Sequence, residues 1–273
     1  MAEIARTITA PVKEQNASRI IFRPPSRQRH GVFIFPKVRY PERMHKKAVV
    51  IFGPPGAGKG TQANLLAWTR GFVHFDTGRH MERVVHDPAR QNDPIIARER
   101  ELWESGKLNT PGWALELVTV ETRTIGRAGL SLVFSGSPRT LYEAFDDSDR
   151  EGEVDVLAKE YSREHIAFIM LTVASATSVF RNSNRKICSI CNTGVLYDEK
   201  DHKHTACPVC GGALERRKLD TPEVIEIRLG EYRERTEPIF GGLRKRGYIL
   251  HEINGERKPY EVFADIVKIV DAV

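Results

Sequence analysis

The stretch that most constrains this chain is Gly53-Pro54-Pro55-Gly56-Ala57-Gly58-Lys59-Gly60-Thr61. It follows an apolar, β-branched run at residues 48–52 and precedes a helical stretch at 61–69. The run reads as a buried strand. Glycines let the backbone bend so that several N–H groups converge on a phosphate chain. The helix that follows aims its positive end at the same anion. Lys59 is in register for the outer phosphates, and the Thr61 hydroxyl for Mg²⁺. A glycine-rich turn that binds nothing is the bland alternative. The strand before it, the helix after it and the lysine in register weigh against that.

Further strand-like runs lie at 72–75, 130–135, 165–173 and 248–253, with helical stretches at 112–124 and 222–235. Alternation of this kind predicts an α/β fold of right-handed βαβ units, with a mostly parallel sheet covered on both faces. At 273 residues the chain holds one to two domains and a real core. Its ordinary composition excludes a collagen or a coiled-coil rod. No apolar run approaches membrane-spanning length, and the first 30 residues lack an apolar signal core. A cytoplasmic, membrane-free protein is expected.

A net charge of +6 invites a nucleic-acid reading, but the excess is local. Residues 1–45 carry nine basic and three acidic side chains, and 46–273 carry 33 of each. The arm to about residue 29 has no sustained periodicity and reads as a disordered, solvated tail, in preference to an organelle transit peptide. The segment Val32-Phe33-Ile34-Phe35-Pro36 is apolar enough to dock as an edge strand.

The four cysteines form two C-x-x-C pairs, Cys188/Cys191 and Cys207/Cys210, 15 residues apart. That spacing is close to a zinc template in which four thiolates make a closed tetrahedral site of structural type. Disulfides or free thiols are the alternative. Such a ribbon can also bind nucleic acid or a protein partner.

The form G-x-P-G-x-G-K-G-T resembles the nucleoside monophosphate kinases, and the adenylate kinases most closely. The similarity runs from about residue 47 to 270. Thr77-Gly78 resembles the Thr-Gly that opens the family's monophosphate-binding helices, and Gly106-Lys107-Leu108 its G-K-L turn. Pro138-Arg139-Thr140 resembles the end of its D-G-F-P-R-T motif, and Gly255 with Lys258-Pro259 the loop beside the donor adenine. The cysteines fall where zinc-containing members carry a lid, flanked by Arg181, Arg185, Arg217 and Arg228.

The resemblance implies a P-loop three-layer fold with a central parallel five-stranded sheet and an inserted zinc-ribbon lid. It divides the chain into a basic extension (1–45) and a kinase core (46–273), with a monophosphate-binding insertion at 77–112 and a lid at 181–217. Gly53, Gly56, Ala57, Gly58, Lys59, Gly60, Thr61, Arg181 and Lys258 would hold ATP. Thr77, Gly78, Arg83, Asn109, Arg139 and Glu143 would hold the acceptor. Lys59, Arg139, Arg181, Arg185, Arg217 and Arg228 would act on the transferring phosphoryl group, with Mg²⁺ beside the ATP and Zn²⁺ on the four cysteines. Partners are then ATP and a nucleoside monophosphate; nucleic acid is disfavoured and a monomer expected.

Three departures bear on the substrate. Ser135 stands where the family has the Asp that helps hold the Mg²⁺ hydration shell, leaving Asp76 or Asp220 to compensate. Glu82 occupies the register of an acceptor-phosphate arginine, with Arg83 one residue late and Arg79 three early. Glu143 replaces a Gln that pairs with the adenine edge of AMP. An ionised carboxylate only accepts hydrogen bonds, which suits the adjacent N1–H and N2–H₂ of guanine better. AMP stays the leading acceptor, with GMP or another monophosphate as rival. A degenerate nucleotide-binding regulator and a nucleic-acid-binding protein are the remaining alternatives.

Overall fold

A computed structural model describes residues 45–145, 151–191, 193–195, 205–216 and 220–273. The arm, its 32–36 segment and Arg217 lie outside them. Five parallel strands form the main sheet: β1 (Ala48–Phe52), β2 (Val73–Phe75), β3 (Leu132–Phe134), β4 (Ile166–Thr172) and a fifth at Leu250–Asn254. Their spatial order is β2, β3, β1, β4 and then the fifth, and every pairing is parallel.

Between β1 and β2 lies α1 (Lys59–Arg70). Between β2 and β3 come α2 (Thr77–Val85), α3 (Pro94–Glu104) and α4 (Pro111–Arg127), then α5 (Leu141–Phe145) and α6 (Glu153–Tyr161) lead to β4. After β4, α7 (Ser175–Asn184) leads to a three-stranded antiparallel sheet of β5 (Lys186–Cys188), β6 (Gly194–Val195) and β7 (Leu214–Arg216), with β5 in the middle. The chain closes with α8 (Pro222–Glu231), a π-helical turn (Tyr232–Thr236), α9 (Pro238–Lys245), the fifth main strand, now β8, and α10 (Pro259–Ala272).

Strand alternation divides the core. On β1, Ala48, Val50 and Phe52 face one side and Val49 and Ile51 the other. The first set packs on Ala114 and Val118 of α4, Val154 and Leu157 of α6, and Ile239 and Leu243 of α9. The second packs on Ala63 and Leu66 of α1 and Val262 and Ile266 of α10. All five β1 residues are buried because helices cover both faces, which is why the strand reads as an unbroken apolar run. Three layers result. Among the described residues no helix is long and apolar enough to cross a membrane.

Strand order also locates a crevice. The chain leaves β1 across the α1 face and leaves neighbouring β3 across the α6 face. Diverging connections open a cleft at the carboxyl ends of such strands.

Candidate active site

The glycine-rich turn occupies that crevice. Gly53 has φ 148°, and an added Cβ would lie 2.7 Å from the Leu171 carbonyl. At Gly56 (φ 78°) a Cβ would meet the Asn182 amide at 2.6 Å. Both positions exclude a side chain. The turn is braced from behind by α7, where buried Ser178 donates to the Pro55 carbonyl and the Asn182 amide donates back to Ser178 O at 2.7 Å. Neither α7 residue carries a recognisable motif.

Helix α1 begins at Lys59 behind a left-handed Gly58, with no side-chain cap and no acid in its first turn. Asp76 caps α2 and Asp93 caps α3, so those helix starts are already occupied. The α1 terminus is left open to an outside anion.

Lys59 folds back over the turn, its ammonium donating to Gly53 O (2.7 Å) and Pro54 O (2.9 Å). Burial pushes its pKa well below the ordinary lysine range, and the positive charges of Arg139, Arg228 and Arg185 push it further. Four cationic side chains therefore share a poorly solvated space. Such a cluster is stable only with anions to neutralise it. Asp220, at 2 % side-chain exposure, answers part of the charge by pairing with Arg185 (2.8 Å) and Arg228 (3.4 Å). Asp220, named above as one of two acids that could compensate for Ser135, here holds two arginines. Asp76 accepts from the Arg79 backbone N–H and pairs with the Arg79 guanidinium at 3.4 Å.

One cavity is lined by Gly53, Lys59, Gly136, Arg139, Arg228 and residues of the π-helical turn. Thr236 of that turn donates to Arg139 O at 2.9 Å, fixing the arginine's backbone, while Arg139 Nε donates to Gly136 O at 2.7 Å. Arg181 extends between two loops, donating to Gly255 O at 2.8 Å and reaching Gly56 O at 3.5 Å. Gly255 is buried and Lys258 exposed. Thus Arg181 and the 255–258 loop flank the turn, whereas Lys258 extends into solvent at the α10 N-terminus.

A second cleft shares Leu108, Gly136 and Arg139 with the first and adds Lys107, Asn109 and Glu143. Thr77 and Gly78 pack against Gly136, and the buried Thr77 hydroxyl has no protein partner. Arg83 is exposed and is not part of either lining. The Asn109 amide is held by buried Glu99, donating to its backbone O (2.9 Å) and to its carboxylate (3.1 Å). Burial alone would raise the Glu99 pKa, but hydrogen bonds from the Thr110 hydroxyl and N–H hold it below the ordinary value. Glu99 thus ties α3 to the start of α4, a role no motif announces.

Glu143 is 3 % exposed. One carboxylate oxygen accepts from the Arg139 N–H (3.0 Å), the other from the Thr140 hydroxyl (2.9 Å), and Thr140 Oγ1 accepts from the Glu143 N–H in a reciprocal cap. Burial raises its pKa against these opposing bonds. Nearby, Ser137 donates to fully buried Glu153 at 2.5 Å, whose other oxygen has no protein partner.

The four cysteines converge on the small sheet, with all four sulfurs within 4.8 Å of one another. Cys188 and Cys210 are 3.4 Å apart, and Cys191 and Cys207 3.6 Å. Tetrahedral Zn–S bonds of about 2.3 Å require S···S edges of about 3.8 Å, so the donor set fits that ion. All four are free thiols rather than disulfides. Backbone N–H groups of Ile190 and Cys191 reach Cys188 Sγ, and that of Val209 reaches Cys207 Sγ, each at 3.4 Å. Hydrogen bonds from Thr193 bring the Cys191 thiol down to about 6, whereas at Cys210 a hydrogen bond from the Gly212 N–H is outweighed by the neighbouring thiols and burial, which push it up to about 12. Four thiolates this close cannot all ionise without a cation among them.

No protein-family model matches the chain. Curated proteins do. An adenylate kinase of Paracoccus denitrificans is 31% identical over 229 residues, covering 82% of this chain and 97% of its own length. One from Erythrobacter litoralis is 31% identical over 206 residues, covering 74% and 89%. One from Petrotoga mobilis is 30% identical over 226 residues, covering 81% and 96%.

Proposed function

The chain belongs to the adenylate kinase family, and on that footing we propose that it moves the terminal phosphoryl group of ATP to a nucleoside monophosphate, with AMP as the acceptor. The observation that carries this reading is the half-buried cationic cluster of Lys59, Arg139, Arg185 and Arg228 at the mouth of an uncapped helix. It joins the cleft that contains Asn109 and Glu143 through Arg139.

In this reading the amides of 56–61 and Lys59 hold the donor phosphates, and Arg181 holds the donor against the 255–258 loop. Arg139, shared by both clefts, bridges donor and acceptor phosphates. Arg185 and Arg228 exchange Asp220 for the transferring group, joined by Arg217. Phosphoryl transfer is catalysed mainly by positioning and charge neutralisation, and the attacking phosphate oxygen is already ionised, so no general base is required. The oxygen donors Thr61, Ser135 and Asp76 fit a hard cation, and bound Mg²⁺ would neutralise donor phosphate oxygens. Zn²⁺ on Cys188, Cys191, Cys207 and Cys210 would stiffen the lid (181–217), which excludes water when it closes. The segment 77–112 is read as the acceptor-binding insertion and 1–45 as an extension outside the kinase core.

Glu143 carries one second reading, GMP as acceptor, because it lines the second cleft and a carboxylate suits two adjacent guanine donors, which would compete with the Arg139 N–H and the Thr140 hydroxyl for its oxygens. A coupled assay with AMP, GMP, CMP, UMP and dAMP tests both. Turnover with AMP is expected to exceed the rest, and greater turnover with GMP would reverse the assignment. Measurable ATP binding with no turnover of any of the five would make the chain a nucleotide-binding regulator.

A further inference from the structure

Asn64 and His74, which have no role above, form a hydrogen-bonded chain with Ser135. Asn64 lies on α1 three residues beyond Thr61, hence on the same helix face. His74 lies on β2, and Ser135 directly follows β3, one residue beyond its last paired position with β1, Val50 opposite Phe134. The imidazole Nδ1 is 2.7 Å from Asn64 Oδ1, and Nε2 is 2.7 Å from Ser135 Oγ.

The chemistry of these atoms sets the proton positions. An amide oxygen only accepts, so Nδ1 carries the ring hydrogen and the Nε2 of a neutral ring accepts the Ser135 hydroxyl proton. With its one hydrogen committed to His74, the Ser135 hydroxyl has only lone pairs to offer other neighbours. A tether between α1 and β2 would need only the Asn64–His74 bond. The second bond instead fixes the polarity of the Ser135 hydroxyl, whose residue directly precedes Gly136 in the lining of both clefts.

We propose that His74 is a positioning residue for the donor's divalent cation: anchored by Asn64, it fixes the Ser135 hydroxyl as a pure acceptor toward the cation's hydration shell. It thereby supplies by polarisation what a carboxylate would supply by charge. This rests on the reading that the glycine-rich turn binds ATP with a divalent metal.

Calorimetric titration of Mn²⁺ into the full chain with saturating ATP, and no acceptor, reads metal affinity without turnover. His74→Phe and Ser135→Ala are each expected to weaken Mn²⁺ binding about tenfold. The double variant should be no weaker than Ser135→Ala, because the two act through one oxygen. His74→Gln, which keeps an acceptor for Ser135 and a donor for Asn64, should recover most of the loss. ATP affinity without metal should stay unchanged in all four variants. Unchanged Mn²⁺ affinity in His74→Phe, with only its melting temperature lowered, would reduce His74 to a tether and overturn the inference while leaving the kinase reading intact. Failure of the native chain to bind ATP at all would overturn both.

Discussion

The two halves of the crevice, donor and acceptor in the proposed function, are built differently. The donor half is mostly backbone: a turn with excluded side chains at Gly53 and Gly56, an uncapped helix, and carbonyls of 53 and 54 that hold Lys59. The acceptor half is mostly side chain: Asn109 held by Glu99, Glu143 in a reciprocal cap with Thr140, and the orphan hydroxyl of Thr77. Backbone geometry needs glycines at fixed spacing and tolerates little variation. Side chains from four separate elements can be exchanged in compensating sets. The departures Glu82, Ser135 and Glu143 all lie outside the turn itself.

The sharpest way to break this comparison is to remove the charges both halves share. Lys59→Ala and Arg139→Ala should each lower turnover by about 10²- to 10³-fold, the usual cost of deleting one electrostatic contact to developing charge. Circular dichroism should show the fold retained. Because Lys59 sits among like charges, its removal should not lower the melting temperature. Near-normal turnover in either variant would sink the assignment of both halves.

The lid is the next test, since it is held by neither backbone turn nor core. Its buried residues are chiefly Cys188 and Cys207, so the sheet of β5, β6 and β7 has little apolar surface to stabilise it. A metal held by the four cysteines would supply that order. Cys207→Ser should bring bound metal below ~0.5 equivalent per chain. Amide protection across 186–195 and 205–216 should be lost while that of the main sheet persists. Full metal content in this variant would rule out the four-sulfur site.

Base choice belongs to the acceptor half alone. Glu143→Gln restores a donor and an acceptor on one side chain, matching the adenine edge. The ratio of kcat/KM for AMP to that for GMP should rise about tenfold, the scale of one discriminating base contact. An unchanged ratio would show that the Glu143 carboxylate serves only the cap with Thr140 and reads nothing.

The same division explains how much could be read from residue order. All five strands of the main sheet, the turn and the cysteine cluster announce themselves through periodicity and fixed spacing, and they sit where those signals place them. The last four residues of the expected 222–235 helix wind as a π-helical turn, which ends where Thr236 meets Arg139 O. That is a tertiary demand, and local propensity does not encode it. Glu99, Ser178 and His74 gave no signal, because each acts through a partner at least 10 residues away or on another element. Asp220 was visible as a charge, but its pairing with two arginines depends on where α8 carries Arg228.

The smallest expected effect concerns Glu153, which is fully buried behind the acceptor half and donates nothing to the cleft. Burial raises its pKa well above the ordinary carboxyl value, against the hydrogen bond from Ser137, and the nearby Glu143 charge raises it further. A group whose folded pKa is raised favours the folded state fully only below its unfolded pKa, and that contribution is lost as pH rises through the folded value. The native chain should therefore lose stability from about pH 5 upward through this residue. Glu153→Gln keeps an acceptor for Ser137 and cannot ionise. Whatever its offset at pH 5, the variant should gain on the native chain by pH 8, by on the order of 1 kcal/mol, read from denaturant midpoints at the two pH values. A difference between variant and native that stays constant across that range would mean Glu153 is already ionised in the fold. The unpartnered oxygen would then need a donor that the surrounding apolar residues of α6 do not supply.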